Sequence, residues 1–214
     1  MKNIGVLPSI GMILMAILSF ANFSGIEIAG LAVIIGIIFF FIIKRREKQS
    51  SHESGLDLRN VRQNLKYKGI WLWIILPVVV NLVSIGIALV FLPDYLVHVV
   101  ARTEAFLSWD LLLLLVFQLA FFALGEEIAW RAFFQNQLGK AMPILPALLL
   151  SSLLFALGHA VLGDASIVIY DLFFVFINSL LFGIVFYKTG NAWISAISHF
   201  LANFSSVVFF LWVY

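Results

Sequence analysis

The chain has 214 residues, 63% of them hydrophobic and 11% charged, with a net charge of +2 and a mean hydropathy of +1.10. Soluble globular domains carry about 25% charged residues, so this composition describes a polytopic membrane protein, expected as an all-α single integral-membrane domain over 1–214 with the lipid bilayer as its surroundings. The absence of cysteine excludes disulfides, thiolate metal sites and a cysteine nucleophile. Lys and Arg cluster where a topology signal puts them, so no nucleic-acid partner is expected.

Apolar runs of about 17 to 25 residues cross a bilayer as helices, and about seven are expected, at 4–21, 25–43, 70–92, 109–128, 143–160, 167–187 and 191–212. The first follows Lys2 and ends in Ser19-Phe20-Ala21, the small-x-small pattern of a signal-peptide cleavage site, but Pro8 and the length of the run favour a retained helix. Between the second and third runs lies the only long polar segment, 44–68, with Lys44, Arg45, Arg46, Lys48, Arg59, Arg62, Lys66 and Lys68. The positive-inside rule makes this loop cytoplasmic, along with the N-terminus, Lys140 and Lys188, and puts Arg102 and Tyr214 on the other side. Recognition of anionic lipid is the competing use of such a loop. Glu27, Asp94, Asp110, Asp164 and Asp171 fall near expected span ends, where interfacial water solvates them. Gly158, Gly183, Ser151, Ser152, Ser195 and Ser198 are small enough for close helix approach. There is no internal repeat, low-complexity tract or second domain, and the lack of inverted repeats speaks against a transporter.

Three polar clusters interrupt the late apolar runs. Gly125-Glu126-Glu127-Ile128-Ala129-Trp130-Arg131 puts two carboxylates and a guanidinium where charge costs several kcal/mol unless it is paired or faces a watery cavity. Glu127 and Arg131 stand at i,i+4 and pair, whereas Glu126 points roughly 100° away and is left free. Phe155 and His159 repeat the i,i+4 spacing in the fifth run, as do His199 and Asn203 in the seventh. Each residue alone reads as packing or as an interhelical hydrogen bond, but together they form a polar site between helices 4, 5 and 7. Counting inward at 1.5 Å per residue, with the fourth helix continued to Gly139, places Glu126 roughly 20 Å, His159 about 22 Å and His199 about 12 Å from the cytoplasmic ends, which permits one cavity.

This set suits amide hydrolysis. A poorly solvated carboxylate makes a competent base for water, which assigns that role to Glu126. His159 would orient the water or pass the proton on, His199 and Asn203 would donate to the developing oxyanion, and Arg131 would hold Glu127. There is no His-Glu-x-x-His run and no Gly-x-Ser-x-Gly elbow. Asp164 and Asp171 lie too close together, near one span end, for an aspartyl intramembrane protease. A zinc site built from Glu126, His159 and His199 is chemically permitted, and a non-catalytic binding protein that uses its polar groups to lock helices is the alternative from another class.

In this order, Glu126-Glu127-x-x-x-Arg131, Phe155-x-x-x-His159 and His199-x-x-x-Asn203 resemble the CAAX prenyl protease and bacteriocin-processing family, also called the Abi family. The resemblance covers roughly 109–204 as a catalytic core and leaves 1–108, with the basic loop, as a variable N-terminal part. It implies an intramembrane endopeptidase with a glutamate-activated water and no metal, with Glu126, His159, His199 and Asn203 catalytic and Glu127 and Arg131 supporting. It further implies a hydrophobic or lipid-modified peptide substrate and a bacterial cell membrane, and some members are tied to bacteriocin immunity instead.

Overall fold

The computed structural model describes residues 4–26, 28–101 and 109–213. Lys2, Glu27, Arg102 and Tyr214, which entered the topology argument, lie outside the described residues. Among those described, the chain is helical and without strands: α1 (Val6–Phe23), α2 (Ala29–Arg46), α3 (Val61–Lys66), α4 (Lys68–Phe91), α5 (Asp94–Ala101), α6 (Leu112–Glu127), a π-helical segment (Ile128–Gln135), α7 (Asn136–Ala141), α8 (Ile144–Leu157), α9 (Ala165–Thr189) and α10 (Ala192–Val213).

Among the described residues, five helices are long and apolar enough to cross a membrane: Val6–Phe23, Lys68–Phe91, Leu112–Ala141, Ala165–Thr189 and Ala192–Trp212. The other two expected spans are helices that fall short of this measure of length and composition. The last turn of α2 is the basic Lys44-Arg45-Arg46. Helix α8 has only 14 residues, about 21 Å of rise against a hydrocarbon core of roughly 30 Å. It stops at Leu157, so His159 stands on irregular backbone beyond its end.

Helix ends follow local chemistry. Asp164 caps α9 by accepting from the Ser166 amide at 2.9 Å. Gly190, with φ +61°, ends α9 in the left-handed conformation that lets the chain turn straight into α10. Just after it, buried Asn191 donates to the Asp57 carbonyl at 2.8 Å and so ties the polar loop to the start of α10.

Helix α10 sits at the centre, packed against α4, α6 and α9, while α2 lies against the π-helical segment and α1 against α2 and α8. Gly36 makes the α2 approach possible, since a Cβ there would come within 2.6 Å of the Ala129 Cβ. The outer faces carry large apolar side chains such as Leu72, Val90, Leu113, Phe117 and Ile169, as lipid-facing helices require. Met15 and Ser19 of α1 are fully buried, so the first helix is part of the core.

Candidate active site

The site is built on the junction of α6 with the π-helical segment. Every residue from Ile128 to Gln135 is buried. The wider π turn is rare and concentrates at functional sites, and no glycine or proline within Ile128–Gln135 announces it. On this junction the expected pair forms, with Arg131 Nε 3.2 Å from Glu127 Oε2 and side-chain exposures of 1% and 0%. A second guanidinium nitrogen is also held: Nη2 donates to the Ser179 carbonyl at 3.0 Å and to its hydroxyl at 3.1 Å. Its faces lie near the rings of Phe155, at 4.8 Å, and Phe182, at 5.7 Å. A buried cation is tolerable only when paired and hydrogen-bonded in this way.

Each histidine is fixed by one ring nitrogen and presents the other to Glu126. His159 Nδ1 donates to the Phe155 carbonyl at 2.8 Å, since a carbonyl can only accept. Its ring lies over that of Phe155 with centroids 4.3 Å apart. His199 Nδ1 is 3.0 Å from Glu127 Oε1, and its ring stacks on Phe182 at 4.3 Å and 18°. The two remaining Nε2 atoms stand 3.9 Å (His159) and 3.7 Å (His199) from the same oxygen, Oε2 of Glu126. That carboxylate is 20% exposed. Glu127 thus bridges Arg131 and His199, while Glu126 looks out between two imidazoles. Glu126, His159 and His199 are also the groups that would take a cation, although among the described residues no three His, Cys, Asp or Glu groups have the spacing of a preformed metal cage.

Residues 108–205, the stretch that carries all of these groups, match the family model described as type II CAAX prenyl endopeptidase Rce1-like. Over this stretch, a little under half of the chain, the sequence is similar to the Rce1-like family. No curated protein and no solved structure matches the chain. That family is one of proteases, and the apolar helices make the chain an integral, multi-pass membrane protein.

A cavity of about 320 Å³ opens in front of Glu126 and is lined by all four residues singled out from the sequence, Glu126, His159, His199 and Asn203. This cavity also reaches residues that sequence reasoning left aside. Asp171, expected in interfacial water, is 3% exposed and lines the cavity, with the Tyr95 hydroxyl 3.4 Å from its Oδ1. The correction has a simple cause: Asp171 lies nearly two turns into α9, on the face turned towards α5, whereas Asp94, Asp110 and Asp164 are exposed as expected.

Asn22 of α1 lies outside the family-matched stretch. Its Nδ2 donates to the carbonyls of Gly158, at 3.0 Å, and Ala160, at 2.9 Å, and so grips the irregular backbone on both sides of His159. Gln135 similarly donates to the Gly183 carbonyl at 3.0 Å, a contact open only to glycine because a Cβ at 183 would stand 2.7 Å from Gln135 Oε1. A polar residue inside an apolar run was the one available signal for Asn22, and it did not reveal the partner.

Proposed function

We propose that this chain is an intramembrane endopeptidase that hydrolyses a peptide bond in a hydrophobic or lipid-modified peptide, with Glu126 activating a water molecule and without a metal ion. The observation that carries the reading is the convergence of two imidazole Nε2 atoms on Glu126 Oε2, at 3.7 and 3.9 Å. Those distances are too long for direct hydrogen bonds and suit a shared water. Its neighbour Glu127 is committed to Arg131 and His199.

Glu126 takes a proton from the water, oriented by the Nε2 lone pair of His159, as the water oxygen attacks the substrate carbonyl carbon. The oxyanion forms beside His199 and Asn203. His199 would donate to it from Nε2, the ring nitrogen not engaged by Glu127. The Asn203 amide supplies a second donor. Collapse of the tetrahedral intermediate breaks the C–N bond, and the proton held by Glu126 passes through His159 to the leaving amine, giving a carboxylic acid and an amine. In the same reading the basic loop 44–68 and the N-terminus are cytoplasmic and the membrane is that of a bacterial cell.

The test compares peptide termini in membranes from cells expressing the unaltered chain, Glu126→Gln or His159→Ala at matched levels. New termini that vanish in both variants are expected. Identical termini in all three, with the variants folded and the physiological partner present, would overturn the peptidase and leave the non-catalytic binding or immunity protein. Stoichiometric zinc in the purified active protein, with loss of activity on chelation, would overturn the metal-free form.

A further inference from the structure

The cavity that holds the catalytic groups is also walled by amides and hydroxyls from α4, α9 and α10, namely Asn81, Ser84, Asn178 and Ser206. Their hydrogen bonds run in one direction only. Asn81 Nδ2 donates to the Ala202 carbonyl at 2.9 Å and to the Ser206 hydroxyl at 3.1 Å. Because a carbonyl cannot donate, the amide orientation of Asn81 is settled, and its Oδ1 must accept. The donor it meets is Asn178 Nδ2. That settles Asn178 in turn and leaves its Oδ1 as an acceptor with no partner, on a side chain only 9% exposed that lines the cavity. Ser84, at 3% exposure, likewise has a hydroxyl without a partner on the same wall.

A buried acceptor held away from every donor is costly, and its fixed direction makes it a docking point for an N–H group. Asn178 precedes Phe182, the residue stacked on His199, by one turn of α9. Four residues of helix rise about 6 Å, the length of two residues of extended peptide at about 3.3 Å each. Apolar side chains, among them Ile85, Phe174, Val175 and Val207, line the same cavity and suit apolar substrate side chains.

We propose that Asn178, assisted by Ser84, forms a subsite that hydrogen-bonds the backbone of a bound peptide about two residues from the scissile bond, Asn178 Oδ1 accepting from a substrate N–H and the Ser84 hydroxyl donating to a substrate carbonyl. Asn81 is a positioning residue that fixes the orientation of the Asn178 amide. The inference rests on the peptidase reading above.

The test uses a fluorescent peptide bearing an S-farnesyl cysteine followed by two aliphatic residues and a terminal serine, and a set in which single backbone amides on either side of the farnesyl cysteine are replaced by esters. Binding is measured to the Glu126→Gln protein, which retains the probe uncut, and to the same protein carrying Asn178→Leu or Asn178→Asp. One ester, two residues from the scissile bond, is expected to weaken binding about tenfold, the size of one hydrogen bond. Asn178→Leu removes that penalty and Asn178→Asp, which keeps an acceptor, retains it. No position-specific penalty, an equal penalty in the leucine variant, or no binding of the all-amide probe overturns the subsite. Should the leucine variant fail to fold, the ester scan with Asn178 present decides alone. Cleavage of the all-amide probe by the unaltered chain is followed separately: binding with the ester pattern but no cleavage overturns the peptidase reading only, and cleavage without the pattern overturns the subsite only.

Discussion

Glu126 and Glu127 are neighbours in the chain and occupy opposite environments. Glu127 is fully buried, with Arg131 on one oxygen and His199 on the other. Glu126 is one-fifth exposed, faces the cavity and meets only imidazole nitrogens beyond hydrogen-bond distance. In the proposed reading, two identical side chains divide the work between holding the site and performing the chemistry. The division arises because one residue of helix rotates the side chain by about 100°, from a packed interface into a cavity.

The sharpest way to break that comparison is to exchange the roles. Glu126→Gln is expected to lower turnover about 10³-fold, the scale of lost general-base catalysis, with an unchanged thermal midpoint in detergent. A midpoint that falls along with activity would make Glu126 a structural group as well. Arg131→Met should do the opposite: it strands the Glu127 carboxylate in a dry interface and is expected to destabilise the fold by about 3–5 kcal/mol in an unfolding titration. The double variant Glu127→Gln, Arg131→Met should recover part of that loss, and a double variant no more stable than the single one would show that the pair is not the main contact.

Smaller effects sharpen the boundary between the two environments. Asn203→Ala removes one oxyanion donor and is expected to reduce kcat about 10²-fold with little change in KM, measured on membranes at matched expression. Gly183→Ala places a Cβ 2.6 Å from Leu148 Cδ2 and 2.7 Å from Gln135 Oε1, which should destabilise the fold by about 1–3 kcal/mol through overpacking. A neutral result there would mean that α8 and α9 separate freely. The least severe is Asn22→Ala, which frees the backbone on both sides of His159 and is expected to lower activity about tenfold, the size of a hydrogen bond, while binding of a substrate peptide persists. An unaltered rate would remove α1 from the catalytic arrangement.

Much of this was legible in the chain. The helical character and the location of the late spans follow from hydrophobic runs, and the Glu127–Arg131 pair and the Phe155–His159 stack follow from i,i+4 spacing. The depth count was looser. It set His199 roughly 10 Å nearer the cytoplasmic side than Glu126 and His159, yet its Nε2 lies 3.7 Å from Glu126. A count along separate helices ignores their tilt and the early end of α8, so it measures position along an axis and not distance across a site.

What the amino-acid sequence determined by itself is what one helix can express: apolar length, the face on which each polar residue lies, and which neighbours a turn apart can pair. Tertiary structure alone decided the rest. His199 reaches Glu127 across 72 residues of chain, Asn22 reaches Ala160 across 138, and Asn178 meets Asn81 across 97. Such contacts depend on how helices cross and on the backbone departures at Ile128–Gln135 and beyond Leu157. Periodicity within one segment carries no record of which other segment will pack against it, so the face of a helix is local information and its partner is not.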